Sequence, residues 1–166
     1  MSLRELAGFA WQDFTNPIDG LVPLAYNGAG EPYCWLTNEQ PKDGELPIIA
    51  AMHGGEGYWF APNVAGMIFR NALMWYDLRA NQGDLQSIYA RLPRLLEILD
   101  AQAPKTWGDT LRQLRDRPTK HQVFGTSERP HEQACLHLDG EREDLIRNFF
   151  GEQYVGKEIV WETPDR

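Results

Sequence analysis

The hydrophobic positions of this chain fall into two rhythms. Up to about residue 61 they come as short runs: Leu21-Val22-Pro23-Leu24-Ala25-Tyr26, Tyr33-Cys34-Trp35-Leu36, residues 46–52, and Tyr58-Trp59-Phe60-Ala61. Each run is bounded by Gly, Pro, Asn or Asp, which is the signature of strands separated by turns. The loop Asn27-Gly28-Ala29-Gly30-Glu31-Pro32 joins the first two runs, Asp43-Gly44 precedes the third, and Gly54-Gly55-Glu56-Gly57 allows the reversal into the fourth. Four such strands in succession predict an antiparallel meander. Pro62 then stops the last strand, and Asn63 stands where its side chain can receive the free amides of a helix. That helix, predicted from about 63 to 76, would cover one face of the sheet.

From Asp84 onward the period lengthens. Leu85, Ile88, Tyr89, Leu92, Leu95, Leu96 and Leu99 recur at steps of three and four, which places them along one helical face. Pro93 either interrupts that helix or starts a second one. Thr106-Trp107-Gly108-Asp109 has the form of a capping box and predicts a short helix to about Asp116. Residues 133–138 alternate like a strand, Asp139 could cap a helix carrying Leu145, Ile146, Phe149 and Phe150, and Ile159-Val160-Trp161 reads as a closing strand. Leu3, Leu6, Phe9, Ala10, Trp11 and Phe14 are spaced as in a short amphipathic helix ending near Asn16-Pro17. The combination predicts an α+β fold, an antiparallel or mixed sheet covered by helices, in one domain over 1–166.

Composition narrows the class. With 166 residues, 42% hydrophobic and 24% charged, the chain can bury one sizeable core. No apolar run reaches the roughly 20 residues of a membrane span, and Met1-Ser2-Leu3-Arg4-Glu5 opens no signal-peptide core. A cytoplasmic location, away from membranes, is expected. Cys34 and Cys135 are too few for a disulfide framework and suit two reduced thiols, with one bridge between them as the open alternative. The net charge of −8 is unevenly spread, with 3 basic and 9 acidic residues over 1–78, 9 and 6 over 79–130, and 4 and 9 over 131–166. Such a surface repels nucleic-acid phosphates and favours encounter with a basic partner.

Three constellations invite a catalytic reading. His53-Gly54-Gly55 is similar to the glycine-rich oxyanion loop of esterases, but no G-x-S-x-G elbow occurs, and Ser127 in Gly125-Thr126-Ser127-Glu128-Arg129 lacks the second glycine. His131, Cys135 and His137 are three residues of zinc-ligand type with Glu132 beside them, at a spacing unlike the usual pairs. Glu45 and Glu56 could be imagined as a glycosidase carboxylate pair, although carboxylates at turns are ordinarily solvated. With no P-loop, dinucleotide fingerprint or H-E-x-x-H, the expectation is a non-enzymatic chain with no catalytic residues, cofactor or metal. A small hydrolase or zinc-dependent enzyme using His53 or His131, Cys135 and His137 is the alternative.

The stretch Asp43-Gly44-Glu45-Leu46-Pro47, the aromatic strand Tyr33-Cys34-Trp35, the strand before Asn27-Gly28 and the entry Ala61-Pro62-Asn63 resemble the SUKH superfamily, which includes bacterial immunity proteins and yeast regulators of cell-wall assembly. The resemblance covers about residues 20–75. Asn63-Val64 replaces the family's serine and aromatic at the helix entry, the family's N-terminal helical segment has little room before Gly20, and residues 80–166 carry no family motif. The resemblance implies an α+β binding scaffold, most often an immunity protein that neutralises a toxin, frequently a nuclease. A regulatory module connecting cellular proteins is the other role it allows. Nuclease toxins are commonly basic, which an acidic partner complements. The expected contact surface is the sheet and hairpin loops of residues 27–61, with Glu31, Asp43, Glu45 and Glu56 as a charged rim and Tyr33, Trp35, Tyr58 or Trp59 as anchors. The basic stretch from Arg79 to Lys120 is the alternative surface.

Overall fold

The computed structural model of the chain describes residues 20–27, 30–39, 44–52, 56–76, 85–118, 120–126, 129–135, 138 and 140–160; side chains of 75, 85–89, 120–135 and 160 lie outside that description. The expected N-terminal helix, Asp43, the His53-Gly54-Gly55 turn, His137, the Asp139 cap and Trp161 fall outside it as well. The fold is α+β. The chain divides into two compact units, Met1–Met67 with Ile146–Arg166, and Ile68–Leu145.

The first unit is built on the predicted meander. Strands β1 (Leu21–Tyr26), β2 (Pro32–Leu36), β3 (Ile48–Ala51) and β4 (Glu56–Ala61) pair antiparallel in sequence order, and β7 (Glu158–Val160) joins the free edge of β4, also antiparallel. The β1–β2 loop is clasped by Asn27, whose Oδ1 accepts from the Glu31 amide at 2.9 Å while its Nδ2 donates to the Glu31 carboxylate at 2.8 Å. An Asn side chain here performs the turn-stabilising role for which the residue type is enriched in loops.

Register decides which side chains share a face, because directly paired residues point the same way. Cys34 pairs with Ile49 and Ile49 with Trp59; Leu21 and Ala51 join Cys34 and Ile49 in one buried cluster, with Leu36, Trp59 and Ile159 packed against it. The opposite face carries Tyr33, paired with Ala50 and through it with Tyr58, together with Trp35, paired with Ile48. A bulge sets Phe60 and Ala61 opposite Ile48, which brings the Phe60 ring to 4.5 Å from Tyr33 and 6.1 Å from Tyr58. All four residues of β3 are buried, so this strand has apolar neighbours on both faces.

Helix α1 (Val64–Tyr76) starts where the sequence places it. The Gly66 amide donates to Asn63 Oδ1 at 2.7 Å, the N-cap bond expected of asparagine. Gly66 is required by space: a Cβ there would lie 2.9 Å from Pro62 Cδ and 3.3 Å from Ala61 Cβ. The Pro62 ring cannot rotate away from such a contact. Gly66→Ala is therefore expected to lose about 1–3 kcal/mol of stability by overpacking, against the roughly 1 kcal/mol that Ala ordinarily gains over Gly inside a helix. Urea unfolding reads the sign directly, and a variant as stable as the parent would show that this corner relaxes freely.

The second unit is mainly helical. Phe69, Leu73 and Tyr76 of α1, Leu92, Leu96 and Leu99 of α2 (Leu85–Gln102), and Trp107, Leu111 and Leu114 of α3 (Lys105–Arg115) are all buried. The Phe69 and Trp107 rings lie 5.4 Å apart, Tyr76 Oη donates to the Leu111 carbonyl at 3.5 Å, and Arg112 joins α3 to Asp100 of α2. Helix α2 runs through Pro93 without a break. That residue is exposed while Leu92, Leu96 and Leu99 form a continuous buried stripe around it, so burial outweighs the roughly 3 kcal/mol that an interior proline costs.

Two sequence expectations are corrected in this unit. The capping box at Thr106 is absent: α3 begins at Lys105, Pro104 is the N-cap with no side-chain bond, and Asp109 pairs with Arg112 at 3.1 Å. Proline, with φ already near the required value, presets the helix entry. The predicted strand at 133–138 is displaced to β6 (Arg129–Cys135), which forms a two-stranded ribbon with β5 (Lys120–Thr126), a strand the sequence did not reveal. Helix α4 (Glu141–Phe150) follows, its first residue held by Arg117, whose guanidinium donates to the Glu141 carboxylate at 2.5 and 2.7 Å.

Candidate functional site

The residues expected to form a binding surface are distributed over both faces of the sheet. Tyr33 is 7% exposed and belongs to the core. Trp35 and Tyr58 are half-buried on the same face as Tyr33, whereas Trp59, also half-buried, points to the other face. Among the carboxylates, Glu45 and Glu56 are exposed, and Glu31 is half-buried within its clasp to Asn27. The structure thus gathers Trp35 and Tyr58 on one side and Trp59 with Glu45 on the other.

On the Trp59 side the first unit has a cleft of about 430 Å³. One wall comes from the turns that flank β3 and β4, with Glu39, Glu45, Pro47, Pro62 and Asn63; the other comes from the end of α4 and the 3-10 turn after it, with Phe149, Phe150, Gln153 and Tyr154. Trp59 lines it as well. The aromatic wall follows from local chain geometry. Gly151 adopts φ 105°, a conformation that L side chains rarely take, and so ends α4 sharply. Its amide still bonds the Arg147 carbonyl at 2.9 Å, its carbonyl accepts from the Tyr154 amide at 3.1 Å, and the turn folds Tyr154 back toward Phe150. The Tyr154 ring then meets Trp59 edge-to-face at 6.0 Å and 86°, and Phe150 at 5.8 Å and 80°. These are favoured aromatic geometries. Beside this turn Arg147 pairs with Glu152 at 2.8 Å.

The polar wall is held in place by Asn63. Its Oδ1 is committed to the helix cap and its Nδ2 donates to the Glu45 carboxylate, so one amide group ties the turn before β3 to the start of α1. Burial pushes the Tyr154 phenol above its ordinary value, the hydrogen bond with Gln153 opposes this, and the Glu39 carboxylate adds to it. Tyr154 therefore stays a neutral phenol throughout the physiological range. Rings on one side and carboxylates on the other give the cleft a chemistry suited to a cation with an apolar stem.

Glu39, Phe149, Phe150, Gln153 and Tyr154 were not among the residues expected to bind. One signal was present in the sequence: Phe149 and Phe150 are consecutive, and a single helical stripe cannot bury both. Of the catalytic alternatives, His131 and Cys135 lie within β6, His131 opposite Phe124 and Cys135 opposite Lys120. Among the described residues no three His, Cys, Asp or Glu side chains come together as a metal site, and none of the helices is long and apolar enough to cross a membrane. The Cys34 thiol is free and buried. No family model, curated protein or solved structure matches the chain.

Proposed function

We propose that this chain is a non-enzymatic, cytoplasmic protein-binding domain whose partner is a basic toxin domain, which it neutralises in the manner of the SUKH immunity proteins. The observation that carries the reading is the acidic bias of the strand meander. Between Glu5 and Phe69 the only Lys or Arg is Lys42. Over the same span Glu31, Glu39, Glu45 and Glu56 stand in or beside the loops that connect the strands, at exposed or half-exposed positions. Loops on a rigid sheet are effective recognition elements, and a surface of one sign accelerates encounter with a partner of the other. A toxin that binds nucleic-acid phosphates has that opposite sign.

The test uses any secreted-toxin domain encoded beside the gene. Co-expression should protect cells from it, and the purified pair should associate at a rate that falls steeply with salt. Glu45→Lys combined with Glu56→Lys is expected to slow association by about ten-fold or more at low salt and to flatten that salt dependence. Unchanged association would move the interface to the basic stretch from Arg79 to Lys120, and a gene neighbourhood of metabolic enzymes alone would overturn the toxin reading.

A further inference from the structure

We propose that the cleft between Trp59, Phe150 and Tyr154 is a receptor for an arginine side chain of the partner protein. The inference rests on the protein-binding reading and adds to it the chemistry of one contact. A volume of about 430 Å³ is within the range of pockets that hold small ligands and large enough for one long side chain. The ring wall is preformed, because the Trp59–Tyr154 and Phe150–Tyr154 contacts already hold the rings in fixed relative orientation. Tyr154 is 5% exposed and backs this wall, so a planar guanidinium stacks on the half-buried Trp59 and Phe150 rings, and its weak hydration lowers the cost of leaving water.

The opposite wall supplies the charge. Glu45 is held by Asn63 through one carboxylate oxygen, so its side chain is oriented before a ligand arrives. Glu39 is exposed and lines the same cleft. Two carboxylates lining the same cleft as aromatic rings match a fork of N–H donors that can bond and stack at once. Lysine, a strongly hydrated point charge, would use the carboxylates without gaining from the rings to the same degree. A divalent cation would want six or more oxygen ligands, more than this wall provides. The Arg147 guanidinium at the α4 end is paired with Glu152.

The experiment titrates the purified full chain with N-acetyl-arginine methylamide, its lysine analogue and the neutral isostere N-acetyl-citrulline methylamide, following the indole N–H resonance of Trp59 by NMR, assigned with Trp59→Phe. The expected result is a saturable shift with the arginine compound, weaker binding of the lysine compound, and binding of the citrulline compound weaker by about ten-fold or more. Glu39→Gln, on an exposed turn, and Glu45→Gln should each weaken arginine binding several-fold while the thermal melt of Glu39→Gln stays that of the parent. Equal response to arginine and citrulline, or a response unchanged in both Gln variants, would overturn the proposal. The two readings fail separately: a toxin captured equally well by the Gln variants removes the arginine site and keeps the binding function. An arginine-binding cleft on a chain that protects against no toxin removes the immunity role and keeps the site.

Discussion

Replacing Tyr33 by alanine is expected to destabilise the sheet unit by about 3–5 kcal/mol, a large share of the roughly 5–15 kcal/mol that holds most domains folded. The residue is an aromatic on an antiparallel sheet of a candidate binding protein, and by sequence it could have been a contact anchor. Its position decides otherwise. It is 7% exposed, paired across the ladder to Ala50, and its ring lies 4.5 Å from Phe60, which is fully buried. Removing the ring leaves a hole lined by Phe60 and the β3 backbone, both tied into the sheet, so little of the space can collapse. Urea or thermal unfolding measures the loss. Trp35→Ala and Tyr58→Ala, at half-buried positions on the same face, should cost clearly less. Should Tyr33→Ala unfold at the parent's midpoint, the register that buries it would be wrong.

The second large effect is alkaline. Burial pushes the Cys34 thiol from an ordinary 9.0 up to about 12. A buried thiol is a neutral thiol, whereas in the unfolded chain the same group ionises near pH 9. The contribution of Cys34 is therefore fully present below pH 9 and is lost as pH rises from 9 toward 12, because the unfolded state alone releases its proton. Three pH units correspond to about 4 kcal/mol, an upper figure for this one group. The raised Tyr154 phenol acts in the same direction above pH 10. Stability measured against pH should consequently fall through this window, and Cys34→Ala should flatten the fall while lowering the plateau beneath it. The native thiol should also resist disulfide reagents at pH 8 and react at once in denaturant. Fast labelling of Cys34 in the native state would contradict its burial.

How much of this was legible in the sequence depended on whether the signal was local. The four meander strands and the Asn63 cap were readable because turn residues, Pro62 and a side-chain cap act within a few residues of one another. The course of α2 through Pro93 was not, since it depends on a buried leucine stripe whose strength only the packed structure reveals. The β5–β6 ribbon was hidden for another reason. A two-stranded ribbon is held by its backbone ladder, both its strands are edges, and Pro130 inside β6 is tolerated there although it argues against a central strand. The sheet face of each aromatic also escaped detection. A one-residue bulge shifts alternation, so Trp59 and Phe60 could be assigned to faces only once their partners were known. The cleft joins residues 39–63 to residues 149–154, a separation that no local pattern spans.

That separation has a consequence during synthesis. β4 is complete at Ala61, but β7, which pairs with its edge, begins at Glu158. At about 5–20 residues per second a ribosome needs roughly 5–20 seconds to make the intervening chain. Through that interval the backbone groups of β4 face an empty neighbour position, the situation in which sheets recruit foreign strands. Gln153, Tyr154 and both phenylalanines of the cleft wall arrive in the same late stretch. A nascent chain therefore has its charged loops well before it has the aromatic wall of the cleft, which is complete only once Tyr154 has been made.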